Sequence, residues 1–208
     1  HYDGKVRIVD AAGKILGDNL EPADYPDYIG EKVENYSYLK SAYYKPMGYP
    51  DGIYRVGPLA RVQNCDFIDT PRAERERREF VDAGHGRPVH AALATHWARM
   101  IEMLHAMEVI ATLLHDADLR AGDLTASGPR AEEGIGVIEA PRGTLIHHYR
   151  VSDDDLVTMC NLIVSTTHNN QAMNEAVRAV ARECFDGRAL TEGLLNHIEV
   201  AIRAYDPC

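Results

Sequence analysis

The sequence predicts a mainly α-helical fold with small antiparallel β pieces, an α+β class. Three observations carry that expectation. From Val89 to about Asp118 apolar residues recur every three or four positions, the period of a long helix. Two further amphipathic stretches, 167–185 and 190–204, close the chain. Between and before them lie short alternating runs bounded by turn residues, which read as strands.

Taken in order, residues 5–16 read as a hairpin of two short strands around an Ala-Gly turn. Residues 20–54 hold eight of the eleven tyrosines, and proline and glycine recur there too often for a regular element. That stretch is expected to be irregular, with short extended pieces, folded over the protein. Thr70-Pro71 opens a helix with Thr70 as N-cap and Pro71 at its first position. The body of that helix, 72–83, is densely charged and reads as a solvated face with ion pairs three and four residues apart. Gly84-His85-Gly86-Arg87-Pro88 ends it and starts the long helix. Leu93, Trp97, Met100, Leu104, Met107, Ala111 and Leu114 line one face of the long helix, and Ile101, Val109, Ile110 and Leu113 widen it. Burial on most sides is therefore expected. After a polar loop, 122–134, three strands are expected at 134–139, 144–151 and 156–164, the last two joined by Ser152-Asp153-Asp154-Asp155.

Composition bounds the function. The chain has 208 residues, enough for a sizeable core, and a net charge of −10. That charge excludes a nucleic-acid partner, because nothing would replace the counterions on a phosphate backbone. No apolar run approaches the ~20 residues of a membrane helix, and the first residues do not read as a signal peptide. Four widely spaced cysteines, with no Cys-x-x-Cys pair, point to a reduced, cytoplasmic protein. Cys160, inside an apolar run, reads as a small buried side chain, and so does Cys184 near a helix end. His96, His105 and His115 lie nine and ten residues apart on the long helix, the wrong spacing for chelation within it.

Two short stretches resist a purely structural explanation. In Glu139-Ala140-Pro141-Arg142-Gly143 an arginine is pinned between a proline that fixes the backbone and a glycine that lets it turn, which holds a guanidinium on a rigid tip. In Asp206-Pro207-Cys208 a thiol follows a helix end, a position useful to a soft metal such as nickel.

Together with Tyr54-Arg55-Val56-Gly57-Pro58-Leu59-Ala60-Arg61, and with Gly134-Ile135-Gly136-Val137-Ile138 leading into the arginine tip, these stretches resemble the catalytic large subunit of nickel–iron hydrogenases. Tyr43-Tyr44-Lys45-Pro46-Met47-Gly48-Tyr49-Pro50 is similar to the NAD-linked, bidirectional soluble branch, and the resemblance covers the whole chain. It implies that family's helical core and the reversible heterolytic oxidation of H2 to protons and electrons. It also implies nickel, iron carrying cyanide and carbonyl ligands, and a structural magnesium. The implied partners are a small subunit with iron–sulfur clusters, which takes the electrons, and diaphorase subunits with flavin and NAD.

The family holds its metals through two Cys-x-x-Cys pairs, and this chain contains neither complete pair. Cys208 matches the first cysteine of the second pair, a terminal nickel ligand. Residues 1–208 are therefore expected to be a partial single domain, the C-terminal portion of a larger subunit cut at both ends and inactive alone. By the same resemblance Arg142 projects its guanidinium over the open bridging position of the metals, Asp206 helps hold it, and Pro141 belongs to the same canopy. Leu162 offers a backbone carbonyl to magnesium, and His147 lies near the centre. Other readings are a deazaflavin-linked or other cytoplasmic hydrogenase, or a helical interaction protein in which the motifs are accidental. A relative of the quinone-site subunit of respiratory complex I is disfavoured by Cys208 directly after Asp-Pro and by the intact Pro-Arg-Gly tip.

Overall fold

Alternation near the start of the chain forms a hairpin in the structure, a computed structural model that describes residues 4–120, 122, 125–185, 187 and 190–207. Strand β1 (Val6–Val9) pairs antiparallel with β2 (Ile15–Leu20). The turn between them is closed by the Asp10 carboxylate, which accepts from the backbone N–H of Ala12 and Lys14 at 2.8 and 2.9 Å.

The tyrosine-rich stretch folds over as expected, through a one-turn helix α1 (Tyr25–Tyr28) and an antiparallel pair, β3 (Ile29–Lys32) with β4 (Ser41–Tyr44). Tyr25, Tyr28 and Tyr44 enter the core with Ile29, Ala42, Ile146 and Ile163. A buried tyrosine needs a partner for its hydroxyl. Tyr25 Oη lies 2.9 Å from His148 Nδ1, and Tyr28 Oη donates to the Glu21 carbonyl at 3.0 Å.

A second core joins helices α2 (Pro58–Asn64), α3 (Pro71–Asp82) and α4 (Ala94–Leu113) around Leu59, Val62, Ala73, Phe80, Ala98 and Ile101. Phe80 meets Trp97 edge to face, with ring centroids 5.1 Å apart. The charged face of α3 is laced as expected: Glu74 pairs with Arg77 at 2.7 Å and with Arg78 at 2.8 Å.

Three expectations for this region are corrected. Thr70 occupies the N-cap position of α3 but makes no capping bond with its side chain. The capping falls to Glu108 of α4, whose carboxylate accepts from the N–H groups of Arg72 and Ala73 at 3.2 and 3.0 Å, while Thr70 Oγ1 meets His105 Nδ1 at 2.9 Å. The long helix starts at Ala94 rather than Val89. The Gln63 amide holds the Val89 peptide out of helical geometry, accepting from its N–H at 2.5 Å and donating to its carbonyl at 3.2 Å. Finally, α4 is not buried on most sides. Only Ala98 and Ile101 are buried, and Met100, Met107 and Leu114 are each more than 60% exposed. The reason is that α2 and α3 both lie on one strip of the helix.

The second half begins with a three-stranded antiparallel sheet, β5 (Glu133–Ala140), β6 (Gly143–Val151) and β7 (Val157–Ile163), with β6 central. Cys160 is exposed rather than buried, because alternation along β7 turns Ile163 into the core and Cys160 to the opposite face. Cys184 is half-buried. Helix α5 (Ser165–Cys184) follows β7 after one residue and packs against β4, β6 and α6 (Glu192–Arg203). Thr191 caps α6, its side chain accepting from Leu194 N–H at 3.3 Å. Among the described residues no helix is long and apolar enough to cross a membrane.

Phe80 is fully buried where α3 crosses α4. Phe80→Ala is expected to cost about 3–5 kcal/mol through lost transfer energy and the cavity left behind. Denaturant unfolding followed by circular dichroism measures it.

Candidate active site

Strands β5 and β6 end as a register pair, Ala140 opposite Gly143, so Pro141 and Arg142 form the whole turn between them. Gly143 takes φ 138°, in the region that favours glycine. The sequence expectation of an arginine on a rigid tip therefore describes the hairpin end. Pro141 is exposed, Gly143 is buried, and Arg142 lies between those extremes.

The tip is held from two sides by the segment 54–61. Gly57, at φ 112°, brings its backbone against the turn: a Cβ there would sit 2.8 Å from the Arg142 carbonyl oxygen. Reciprocally, a Cβ on Gly143 would sit 2.3 Å from Val56 Cγ2 and 3.0 Å from Gly57 N. Two glycines thus permit a backbone-to-backbone approach that no side chain would allow. On the other side Arg61 donates to the Ala140 and Pro141 carbonyls at 2.9 and 3.0 Å. The same guanidinium bonds Glu139 at 2.7 Å and both carboxylate oxygens of Glu102 at 2.6 and 2.7 Å. Burial works against its charge, but Glu102 and then Glu139 outweigh that and hold its pKa above the ordinary arginine value. Sequence reasoning placed Arg61 in a motif without a role and missed Glu102, which carries no local signature on an apolar helix.

Arg142 itself reaches the end of α6. Its Nε donates to the Asp206 carbonyl at 2.5 Å and lies 3.3 Å from Asp206 Oδ2. Asp206 adopts φ 50°, the left-handed region, which turns the chain back after α6. Among the described residues the terminal nitrogens of Arg142 have no hydrogen-bond partner. Arg142 and Asp206 lie along an open groove of about 2200 Å³. That volume exceeds an ordinary ligand pocket of roughly 300–1,000 Å³, so it describes a whole face rather than a closed site.

At the start of the segment 54–61 Tyr54, partly buried, meets the buried His168. Tyr54 Oη and His168 Nδ1 are 2.5 Å apart. Burial lowers His168 to a pKa of about 4 and pushes the Tyr54 hydroxyl up. At neutral pH both groups are therefore uncharged, a neutral imidazole against a protonated phenol.

His147 and Leu162 face each other as register partners on β6 and β7, four residues along β6 from Gly143. His147 is half-exposed with its ring beside Tyr149, at a centroid distance of 5.8 Å, and Leu162 is 41% exposed. The structure brings these two together with each other rather than with Arg142. Cys208 lies outside the described residues. Among the described residues no three His, Cys, Asp or Glu side chains are grouped to hold a metal. Cys65 is turned onto the Val62 carbonyl, and burial raises its thiol pKa. The described residues therefore do not fit a nickel–iron centre on their own.

A family model and a number of relatives and solved structures match this chain. A family model described as nickel-dependent hydrogenase matches residues 16–208. The beta chain of the NAD-reducing hydrogenase HoxS of Cupriavidus necator is 45% identical over 100% of this chain and 43% of its own length. A component of the F420-non-reducing hydrogenase of Methanothermobacter marburgensis is 42% identical over 100% of this chain and 44% of its own length. A crystal structure of an NAD+-reducing [NiFe]-hydrogenase in the H2-reduced state superposes with a TM-score of 0.94 at 57% identity, covering 100% of this chain and 46% of that one. The chain thus spans less than half the length of the relatives it matches.

Two measurements check this packing. Gly57→Ala forces a Cβ into a backbone oxygen at a positive φ and should lower the unfolding midpoint. Gly134→Ala, which meets nothing within 4 Å, should not. His168 refuses a proton that the unfolded chain accepts between the ordinary value of 6.5 and about 4. Its share of stability is thus whole above pH 6.5 and falls as the pH drops toward 4. About 2 kcal/mol is lost by pH 5, and His168→Gln should flatten that slope in urea titrations.

Proposed function

The chain belongs to the nickel-dependent hydrogenase family, and on that premise we propose that it is part of the catalytic subunit of a hydrogenase that oxidises H2 reversibly and sends the electrons to NAD. The observation that carries the reading is the convergence of three segments far apart in sequence, 54–61, 139–143 and 206, on one arginine. The NAD-reducing relatives support the choice of acceptor. A small subunit with iron–sulfur clusters and diaphorase subunits complete the electron path, and the whole is cytoplasmic.

Nickel, together with iron bearing cyanide and carbonyl ligands, supplies the binding and splitting of H2 in such an enzyme. Cys208 is the thiolate this chain would offer to nickel. Leu162 would be the residue to offer a backbone carbonyl to magnesium, with His147 its register partner on β6. The work of the described residues is positional and electrostatic. Arg142 supplies a positive charge and a planar set of donors. Its turn is fixed by Arg61 and Gly57, and its Nε is occupied by Asp206, so a positive field is aimed in advance and costs no reorganisation during reaction. Pro141 limits the turn's backbone to one shape. A planar guanidinium does this better than an ammonium, because its fork is rigid.

A second reading, a hydrogenase serving another electron acceptor, is favoured by the F420-non-reducing relatives. H2-dependent reduction of NAD against other acceptors by the purified complex separates the two.

In the full-length protein, Arg142→Lys should retain nickel and iron while lowering H2 turnover by roughly 10²-fold or more, the usual scale for losing one preorganised group. Normal turnover with normal metal content contradicts the role. Cys208→Ser should abolish nickel retention in elemental analysis, and stoichiometric nickel in that variant contradicts the ligand assignment.

A further inference from the structure

We propose that Asn169 is a positioning residue for the Arg142 guanidinium, acting through the Val56–Gly57 backbone; the proposal rests on the reading of Arg142 given above. Asn169 is 2% exposed, and an amide buried to that degree must be fully engaged to be tolerated. It is engaged by a backbone. Its Oδ1 accepts from Val56 N–H at 2.9 Å and its Nδ2 donates to the Val56 carbonyl at 3.2 Å. The side chain thereby pairs with Val56 as a neighbouring strand would, in a segment that belongs to no sheet.

Val56 and Gly57 are the residues that touch the turn. Any shift of their backbone reaches Arg142 O and Gly143 N directly, since neither glycine has a side chain to absorb it. One helical turn before Asn169, Ser165 is also buried and donates from Oγ to the Gly143 carbonyl at 2.8 Å. Residues four apart share a helix face. The start of α5 therefore grips both backbones that meet under the arginine, Gly143 through Ser165 and Val56 through Asn169. Arg61 fixes the far side of the turn, at Ala140 and Pro141. With both sides held, the tip has one position, and the remaining freedom of Arg142 lies in its side chain.

A purely space-filling residue would need no amide here. The geometry requires a group that donates and accepts at one peptide, which asparagine does and its isosteres do not. Asn169→Asp keeps the acceptor but sets a second acceptor against the Val56 carbonyl. Ser165→Ala removes the single bond to Gly143.

The test uses the whole assembled enzyme. Asn169→Asp should keep nickel and iron yet lower kcat for H2 oxidation roughly tenfold with little change in KM, since the lost interaction matters in the transition state. In an Arg142→Lys background the same change should cost less than about twofold, because coupled groups are not additive. Hydrogen exchange supplies a readout independent of turnover: Asn169→Asp should speed exchange at 56–57 and at 142–143 together. Additive losses in the double variant, or faster exchange confined to 56–57, overturn the proposal. If Asn169→Asp does not assemble, Ser165→Ala is put through the same cycle, with the same two outcomes deciding. A wild-type rate in Arg142→Lys alone instead removes the reading of Arg142 on which the proposal rests.

Discussion

Two peptide backbones touch where Gly57 meets Arg142 and Gly143, and the site depends on that contact. The approach is too close for a Cβ on either glycine. Because of it, the segment before α2 and the β5–β6 turn form one rigid unit, although 86 residues separate their glycines. Arg61 reinforces the unit from α2, four residues beyond Gly57, with bonds to two turn carbonyls and two carboxylates. Removing one member of such a partly buried charge network leaves the others uncompensated, which costs far more than an exposed pair returns. The turn is consequently fixed before any ligand arrives.

That rigidity joins the two cores. The aromatic core under β3, β4 and β6 ends at Tyr54, and the helical core of α2, α3 and α4 begins at Leu59. The residues between them, 55–58, cross from one core to the other and press on the turn on the way. Glu102 on α4 and Glu139 on β5 are tied to each other through Arg61. An arginine tip supported by both halves of the protein inherits the stability of both.

Much of this architecture was legible in the sequence. The hairpin expected at 5–16, the three strands expected between 134 and 164, and the last two helices follow from local periodicity and turn residues, which are short-range signals; the structure carries the second hairpin strand on to Leu20. The segments 54–61 and 139–143, which the structure brings together, also stand out as motifs, because glycine and proline at fixed spacing leave a mark in sequence. What was not legible depends on distant partners. The cap of α3 comes from Glu108, 36 residues on, and nothing near Thr70 signals it. The apolar faces of α4 are real, but periodicity states which sides are apolar, not which of them a neighbour covers. Cys160 sits in an apolar run, yet it is exposed because strand alternation puts it on the face of β7 opposite Ile163, and which face is covered depends on distant packing. Arg61 and Glu139 lie in motifs that give no hint of their pairing, Glu102 lies in none, and the three become a network only when α2, α4 and β5 meet.

On the proposed function, the Arg61 network is what holds the Arg142 turn. The most direct measurement is H/D exchange catalysed by the assembled enzyme, which reads H2 splitting without any electron acceptor, compared between wild type and Arg61→Lys. Lysine keeps the charge against Glu102 but has no fork to span the Ala140 and Pro141 carbonyls. In Arg61→Lys the exchange rate should fall at least roughly tenfold with nickel and iron retained. Exchange at the wild-type rate with the metals in place would contradict it.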